Sequence, residues 1–318
     1  MPPSDSPLTI DARREARNIE RHIQELIDAN LAEGVIIGLS GGIDSAVLAA
    51  LSVRAVGTER VSAYYLYDRD SSKESQAKAK FVAEWLRMEL KHHDITPSMQ
   101  KMNIYSPLIV RITTLSGFIN RCLNTKLHRL FHGELPFISI LRKGSPAGNN
   151  KSFFYNRTVG SIEAAFNARH IYRRKFLEQR AQEKNRIVLG AANRSELMVG
   201  WFVKDGVDDL PFSPLIGLYK TQVLQLAKYL GLPSQIQDQA PSPDMLKGIT
   251  DESALGISYD ILDLILHYID RGMSDWEIVS SGISIKDLRM VHTMNSLSVW
   301  KRRRENPAVS GEKYAGSI

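Results

Sequence analysis

Residues 35–46 read Val-Ile-Ile-Gly-Leu-Ser-Gly-Gly-Ile-Asp-Ser-Ala. The apolar residues at the start of this stretch predict a buried parallel strand. The apolar, alanine-rich residues 46–51 predict a helix shortly after it. A glycine-rich turn between a strand and a helix directs backbone N–H groups at a bound anion. The order of these elements therefore predicts an α/β fold with a phosphate-binding turn.

The turn itself combines residue types that suit a nucleotide and its metal ion. Gly41 and Gly42 let the backbone approach a phosphate closely. Ser40 and Ser45 offer hydroxyl donors, and Asp44 can hold a metal ion that neutralises phosphate charge. The chain lacks the Gly-x-x-x-x-Gly-Lys-Ser/Thr sequence of the P-loop.

The stretch resembles the pyrophosphate loop of ATP pyrophosphatases, which cleave ATP between its α and β phosphates and leave AMP. The alternative is an ordinary glycine-rich turn between a strand and a helix. We favour the first interpretation because the strand, Ser-Gly-Gly, Asp-Ser and the helix follow one another in the expected order.

Length and composition indicate a globular protein. The chain has 318 residues, of which 43% are hydrophobic and 24% charged, as is ordinary for such a protein. No apolar run approaches the ~20 residues of a transmembrane helix, and residues 1–5 do not begin a secretory signal. The single cysteine, Cys122, excludes an intramolecular disulfide. These features predict a cytoplasmic protein without a membrane segment.

The net charge of +6 is modest, and part of it lies in the basic run at residues 301–304. This run is open to three interpretations: a solvated helix end, a nucleic-acid contact or an anion site. An excess of basic over acidic residues suits phosphate-rich ligands, whereas a nucleic-acid-binding face would need more positive charge.

Apolar spacing along the chain predicts alternating helices and strands. The predicted segments are a helix within residues 10–31, a strand at 61–67, a helix at 71–89, a helix at 162–183, a strand at 186–191, a helix opening at 193–196, a loop at 211–218 and a helix at 220–230. Repetition of strand and helix predicts a doubly wound parallel sheet that is covered on both faces.

The pattern breaks down at about residues 108–156, which contain several basic residues and the turn-rich residues 143–150. Stretches of this kind are usually lids, interfaces or partly disordered segments. We interpret this one as an insertion into a single domain that spans residues 1–318. A C-terminal helical segment is expected at about residues 258–305.

Together with the loop, the second half of the chain resembles the NAD synthetase family of amide-forming ATP pyrophosphatases. The resemblance covers residues 34–75 and about 167–307. It rests on Ser-Gly-Gly-Ile-Asp-Ser at 40–45, Gly-Ala-Ala-Asn-Arg-Ser-Glu at 190–196, Leu-Tyr-Lys-Thr-Gln-Val at 218–223, Thr-Asp-Glu at 250–252, Gly-Ile-Ser-Tyr-Asp at 256–260 and Lys-Arg at 301–302. It implies the N-type ATP pyrophosphatase fold, which is adenine nucleotide alpha hydrolase-like, with helical elaborations.

Members of this family adenylate the carboxylate of nicotinic acid adenine dinucleotide with ATP, and ammonia then displaces AMP to form the amide. The resemblance implies ATP binding by Gly38, Ser40, Gly41, Gly42, Asp44, Ser45 and Lys220, catalysis by Asp44, Lys204 and Lys220, Mg²⁺ binding by Asp44 and Glu196, and acid binding by Asn167, Arg173, Lys204, Asp208 and Lys301. It also implies a homodimer that uses free ammonia or ammonia delivered by a separate glutaminase.

Three of these residues have simpler explanations. Glu196 could be an acidic residue favoured in the first turn of a helix, and Lys204 and Lys220 could be solvated surface residues. The loop and the family pattern favour the functional interpretation of Glu196 and Lys220. They do not decide between the two interpretations for Lys204.

The chain departs from the family pattern where the acid would bind. The departures are Val203 for a threonine, Val207 for an aspartate, Ile171 for an arginine and Trp300 for a histidine. Asp208 or Asp209 could supply the missing carboxylate after a local shift. Lost polar contacts usually cost a recognition site more than an apolar change does. Either shifted residues hold the same acid, or the chain amidates a different carboxylic acid with the same ATP chemistry.

Two classes of nucleic-acid-binding protein are the remaining alternatives. Enzymes that modify tRNA use similar pyrophosphatase loops, but sulfur insertion commonly relies on paired cysteines, which this chain lacks. Residues 273–292 can be read as a helix-turn-helix with Gly282 at the turn. The simpler interpretation is an α-hairpin that packs on the rest of the domain, so we expect no nucleic-acid partner.

Overall fold

The computed structural model describes residues 6–113, 128–142, 153, 155–239, 241–242 and 248–303. Within these residues four strands form one sheet: β1 (Gly34–Gly38), β2 (Val61–Tyr67), β3 (Leu90–Asp94) and β4 (Arg186–Leu189). Their order across the sheet is β3-β2-β1-β4, and each neighbouring pair is parallel. The predicted parallel α/β sheet is thereby confirmed.

In chain order, the described helices are α1 (Ala12–Ala29), α2 (Ile43–Val56), α3 (Lys73–Trp85), α4 (Thr96–Lys101), α5 (Leu108–Thr113), α6 (His128–His132), α7 (Pro136–Leu141), α8 (Val159–Glu183), α9 (Arg194–Val199), α10 (Lys220–Tyr229), α11 (Ser234–Gln237), α12 (Asp251–Leu255), α13 (Tyr259–Asp270), α14 (Asp275–Ser280), α15 (Ile285–Leu297) and α16 (Val299–Arg302). The helices and strands predicted outside residues 108–156 correspond to these helices and to strands of the sheet, with ends that differ by a few residues. Among the described residues, no helix is both long enough and apolar enough to cross a membrane.

Alternate side chains of β1 enter cores on opposite faces of the sheet. Val35 and Ile37 pack with apolar residues of α1, α2, α3 and α10. Ile36 packs on the other face with Phe176 and Leu177 of α8. All three strand residues are fully buried, which explains why the strand reads as a continuous apolar run. Helices therefore cover both faces, as the doubly wound fold requires.

A second core joins the C-terminal helices to α7 and α9. Leu262 of α13, Ile278 of α14 and Val291 of α15 are fully buried together with Val199 of α9. The possible helix-turn-helix at residues 273–292 is therefore a helical hairpin packed on the domain, as the simpler interpretation expected.

The sequence did not predict β3. The helix predicted at residues 71–89 ends at Trp85, Arg87 turns the chain with a φ of 54°, and β3 follows. β3 is an edge strand whose residues are all at least partly exposed. It therefore lacks the apolar run by which a buried strand is recognised.

The structure describes only parts of the predicted insertion at residues 108–156. These parts include α5, α6 and α7. Cys122 and residues 143–150 lie outside the described residues. Phe137 of α7 is buried in the second core, so at least this part of the segment packs on the domain. The division into a domain and an insertion stays a prediction.

Candidate active site

β1 delivers the chain to a turn at residues 39–42, and α2 begins directly after it. The hydroxyl oxygens of Ser40 and Ser45 lie 3.1 Å apart. Ser45 Oγ donates to the carbonyl oxygen of Gly42 over 2.9 Å, and the N–H of Gly42 donates to Ser40 Oγ over 3.2 Å. The turn is thus closed by its own serines and presents the amino-terminal end of α2, which favours a bound anion.

Gly41 is required both by the conformation of this turn and by its packing. Its φ is +85°. A Cβ at this position would lie 2.6 Å from the carbonyl oxygen of Ser75 and 3.0 Å from the backbone nitrogen of Ala79. Both atoms belong to α3, so α3 and the turn pack backbone to backbone.

We expect Gly41→Ala to lower both the thermal stability of the protein and its affinity for ATP. A positive φ costs a non-glycine residue roughly 1 kcal/mol, and the clash with Ser75 adds to this cost by displacing the turn. Gly57→Ala is the matched control, because Gly57 has a φ of +80° with no atom near an added Cβ. Thermal unfolding and the KM for ATP should distinguish the two variants; equal effects would contradict the steric argument.

Asp44, the second residue of α2, lies in a cluster of charged side chains. Lys220 Nζ donates to Asp44 Oδ2 and lies 3.6 Å from Glu196 Oε1. Asn193 Nδ2 donates to Asp44 Oδ1 over 3.0 Å. α2 follows β1 and α9 follows β4, its neighbour in the sheet. Their first turns therefore meet at the carboxyl edge of the sheet, where ligands of such folds bind.

The charges of this cluster are shielded from water. The side chain of Lys220 is 2% exposed. Burial alone would lower the pKa of its ammonium, but Asp44, Glu196 and Asp251 outweigh burial and raise that pKa. Burial and the negative charge of Asp44 raise the pKa of Glu196 well above its ordinary value. Three carboxylates thus share one ammonium, which leaves the cluster short of positive charge.

A cavity of about 400 Å³ connects this cluster with side chains of α8 and α16. Its lining includes every residue predicted to bind ATP except Gly41, namely Gly38, Ser40, Gly42, Asp44, Ser45 and Lys220. Gly41 shapes the turn through its positive φ, and its role in ATP binding stays a prediction. The predicted acid-binding residues Asn167, Arg173, Asp208 and Lys301 line the same cavity.

α8 contributes a row of polar side chains to the cavity. Asn167, His170 and Arg173 recur every three residues, which places them on one face of the helix. Arg173 Nε donates to the carbonyl oxygen of Leu66 over 2.9 Å. His170 Nδ1 lies 2.7 Å from Asp208 Oδ2. Burial would raise the pKa of Asp208, but the charge and hydrogen bond of His170 hold it below its ordinary value.

Lys301 reaches the cavity from α16 and is 8% exposed. Its Nζ donates to the carbonyl oxygen of Gly200 over 2.7 Å and to that of Phe202. Burial lowers the pKa of Lys301 to about 8, against the opposing charge of Glu163. The interpretation of residues 301–304 as a solvated helix end is therefore wrong for Lys301, which lies where an anionic ligand could reach it.

Lys204 is not brought to the cavity. Its Nζ donates to the backbone carbonyl oxygens of Trp300, over 3.5 Å, and Arg303, over 3.2 Å. Val203 and Val207 line the cavity, but Lys204 is absent from the described lining. The catalytic and acid-binding roles of Lys204 stay predictions, and its observed contacts hold the end of α16.

Trp300 and Ile171 are two further departures from the family pattern. Trp300 Nε1 donates to the carbonyl oxygen of Leu141 over 3.0 Å, which ties α16 to α7. Ile171 is absent from the described lining of the cavity. Arg169, two residues earlier, does not replace the missing arginine there, because its Nε lies 2.9 Å from Asp68 Oδ2 and its side chain is buried.

The cavity is also lined by Glu163, His170 and Asp251, for which no role at the site was predicted from the sequence. Burial raises the pKa of Glu163, whose carboxylate accepts a hydrogen bond from Tyr155. Glu163 and His170 lie one helical turn before Asn167 and Arg173, so helical spacing could have identified them. Asp251 reaches the cluster from α12, and its signal was the Thr-Asp-Glu motif at 250–252 and not helical spacing.

Several known proteins are similar to this chain in sequence or in fold. A family model described as NAD synthase matches residues 15–108 and 151–305. The NH(3)-dependent NAD(+) synthetase of Thermotoga maritima is 35% identical over 249 residues, which are 78% of this chain and 84% of that relative. The solved NMN synthetase from Francisella tularensis has a TM-score of 0.68 at 24% identity, covering 94% of this chain and 98% of that one. An NH3-dependent NAD synthetase from Campylobacter jejuni has a TM-score of 0.65 at 21% identity, covering 93% and 99%.

The parallel sheet and the likeness to these solved structures define an adenine nucleotide alpha hydrolase-like fold. The family match and the sequence relationship to the Thermotoga protein go further. The chain belongs to the NAD synthase family.

Proposed function

We propose that this protein is an ATP-dependent amide ligase that converts nicotinic acid adenine dinucleotide to NAD with ammonia. The observation that carries this proposal is the single cavity that joins the phosphate-binding turn to Asn167, Arg173 and Lys301. Family membership and the relatives named as NH(3)-dependent NAD(+) synthetases support the choice of acid and of nitrogen source.

The reaction has two steps. A carboxylate oxygen of the acid attacks the α-phosphorus of ATP, and the bond to pyrophosphate breaks. Ammonia then attacks the carbonyl carbon of the acyl adenylate, loses a proton, and the bond to AMP breaks. Negative charge grows on the phosphates in the first step, where donors fixed in advance stabilise a transition state most effectively. The proposal assigns this role to Lys220 and to the N–H groups at the start of α2, and the position of both beside the cavity supports it.

The charged cluster fits a magnesium ion, which the family chemistry implies. Magnesium prefers carboxylate and phosphate oxygens, and Asp44 and Glu196 carry carboxylates to the same ammonium. Burial and the negative charge of Asp44 raise the pKa of Glu196, and a divalent cation would offset this concentration of negative charge. In the part of the chain that the structure describes, no three His, Cys, Asp or Glu side chains form a metal site alone. Phosphate oxygens would complete the coordination, and the ion would neutralise their charge.

The second candidate is the same ligase chemistry on a different carboxylic acid. Val203 and Val207 put apolar surface into the cavity where the family pattern has polar groups. The fold resembles an NMN synthetase as closely as an NAD synthetase, so it does not select between a mononucleotide and a dinucleotide. The acid has to be established by assay.

The test is product analysis with ATP, magnesium, ammonium and nicotinic acid adenine dinucleotide. Equal amounts of AMP and NAD would support the proposal, and omission of ammonium should prevent NAD formation. A parallel reaction contains nicotinic acid mononucleotide instead. Faster AMP release with the mononucleotide would favour the second candidate, and no AMP with either acid would exclude both.

The nitrogen source, the assembly and the location complete the proposal. We propose free ammonia, or ammonia passed on by a separate glutaminase, which predicts turnover with ammonium and none with glutamine alone. We also propose a homodimer in the cytoplasm. The homodimer rests on family resemblance, and sedimentation velocity would test it.

We expect the KM for the acid to rise as the pH passes about 8. Burial lowers the pKa of Lys301 to about 8, and above that pH the neutral amine no longer attracts an anion. In Lys301→Arg the guanidinium stays charged, so the rise should disappear. Lys286→Arg, at an exposed position on α15, is the matched control and should behave as wild type.

The same shift in the pKa of Lys301 affects stability in a defined direction. Between pH about 8 and its ordinary pKa of 10.5, the unfolded chain binds a proton that the folded protein releases. This group's contribution to the free energy of unfolding therefore increases as the pH rises through that window.

The outcome for KM tests the role of Lys301 in binding separately from its effect on stability. A KM for the acid that stays constant from pH 7 to 9 would contradict the role of Lys301 in binding.

A further inference from the structure

The buried carboxylate of Asp263 has no part in the chemistry proposed above. Asp263 lies near the middle of α13, is fully buried and does not line the cavity. Its Oδ1 accepts a hydrogen bond from Ser195 Oγ, and its Oδ2 accepts one from the backbone N–H of Thr221 over 2.8 Å. A buried carboxylate needs such partners, and both of these belong to helices of the candidate active site.

Ser195 extends this contact to Lys220. Its hydroxyl oxygen accepts the backbone N–H of Lys220 over 2.9 Å. Lys220 and Thr221 are the first two residues of α10, and N–H groups at this end of a helix have no carbonyl partner within it. Asp263 and Ser195 bind both N–H groups, and the helix dipole favours a negative charge at this end.

The same serine joins α10 to the carboxylates of the cluster. Ser195 precedes Glu196 in α9, and the residue that caps α9, Asn193, donates to Asp44 over 3.0 Å. The backbone of Lys220 is therefore fixed relative to the two carboxylates that its ammonium contacts. A misplacement of about 1 Å in an active site can cost roughly a hundredfold in rate.

We propose that Asp263 is a positioning residue for Lys220. Through Ser195 and the first turn of α10, it holds the lysine between Asp44 and Glu196. The inference rests on the proposed function in one respect, which is that Lys220 acts on the phosphates of ATP. Asp263 itself contacts no substrate.

The competing explanation is that Asp263 only stabilises the packing of α13 on the rest of the domain. Asp270, two turns later on the same helix, provides the comparison. Its Oδ2 accepts hydrogen bonds from Arg194 Nε, over 2.8 Å, and from the hydroxyl of Tyr219. Asp270 therefore also joins α13 to α9 and to the residue before α10, but through side chains and not through the N–H groups of Lys220 and Thr221. Asp270→Asn is the matched control.

Asp263→Asn should lower the kcat for AMP formation about tenfold, with a smaller change in the KM for ATP. The amide can still accept from Thr221, but its NH₂ group cannot accept the proton of Ser195, so the hydroxyl turns and the start of α10 loosens. Asp270→Asn should leave kcat within twofold of wild type, even where it lowers the unfolding temperature. An unchanged kcat in Asp263→Asn would overturn the proposal.

A double-mutant cycle with Lys220→Ala distinguishes the positioning of Lys220 by Asp263 from a purely structural role of Asp263 in helix packing. If Asp263 acts through Lys220, Asp263→Asn should cost less than about twofold once the lysine side chain is gone. The full tenfold loss in both backgrounds would overturn the proposal, because it would show an effect independent of Lys220.

Ser195→Ala provides a second variant for the case in which Asp263→Asn does not fold. It removes the link to the backbone of Lys220 and should reproduce the loss of kcat, whereas an unchanged kcat would overturn the proposal. Calorimetric binding of magnesium with α,β-methylene ATP keeps the two proposals distinguishable. If the wild type forms no AMP, the proposed function is wrong. The double-mutant cycle of Asp263→Asn and Lys220→Ala is then measured as the Kd for the analogue, and this Kd tests whether Asp263 positions Lys220.

Discussion

Replacing Asp44 with alanine should abolish AMP formation, with a loss of roughly a thousandfold or more. The substitution removes a carboxylate that the proposed mechanism uses to hold magnesium against the phosphates. It also removes the partner of Lys220 Nζ and of the Asn193 side-chain amide. The measurement is AMP released from ATP with nicotinic acid adenine dinucleotide, ammonium and saturating magnesium.

Two variants separate the charge of Asp44 from other effects. Asp44→Asn keeps the shape and an oxygen for Asn193, so a loss similar to that of the alanine variant would assign the effect to the charge. Asp287→Ala removes an acidic residue from the first turn of α15, where Asp287 accepts a hydrogen bond from Ser284. It should cost a little helix stability and leave turnover unchanged. Near-normal AMP formation by Asp44→Ala would contradict the mechanism.

The sequence predicted those parts of the site in which local signals coincide. The apolar run of β1, the glycines of the turn and the apolar start of α2 each favour the element found there, and together they place Asp44 at a helix start. β3 shows the opposite case, because an edge strand that packs little carries no apolar pattern. Local sequence therefore predicted the buried strands, including β4 at the other edge of the described sheet, better than the exposed strand β3.

The contacts of buried charges could not be predicted in the same way. The basic run at residues 301–304 is compatible with a solvated surface, and only tertiary packing buries Lys301 against the carbonyl oxygens of Gly200 and Phe202. The family pattern favoured a functional role for Lys220 and left Lys204 undecided, but it did not predict the contacts of either ammonium. The structure buries the ammonium of Lys220 among carboxylates and directs that of Lys204 to the backbone of α16. Helix spacing is local, whereas these partners come from distant parts of the chain.

Removing Lys220 is the second large effect that we expect. Lys220→Ala should lower kcat/KM for ATP at least tenfold, and about a hundredfold if its ammonium contacts the phosphates in the transition state. Burial alone would lower the pKa of this ammonium, but the negative charges of Asp44 and Glu196 raise it and keep the ammonium charged. Lys228→Ala, at an exposed position near the end of the same helix, is the matched control and should retain wild-type activity. An unchanged rate in Lys220→Ala would mean that the family pattern is misaligned at this position.

The pH dependence of stability provides an independent check on Lys220. Without its ammonium, the pKa of Glu196 should rise further, because Lys220 is the charge that lowers it against burial and Asp44. The folded variant then keeps a proton that the unfolded chain releases above the ordinary pKa of 4.5, so its free energy of unfolding falls as the pH rises. The difference in unfolding temperature between wild type and Lys220→Ala should therefore be smaller at pH 5 than at pH 8. An equal difference at both values would show that Lys220 does not compensate these carboxylates, and its loss of activity would then need another explanation.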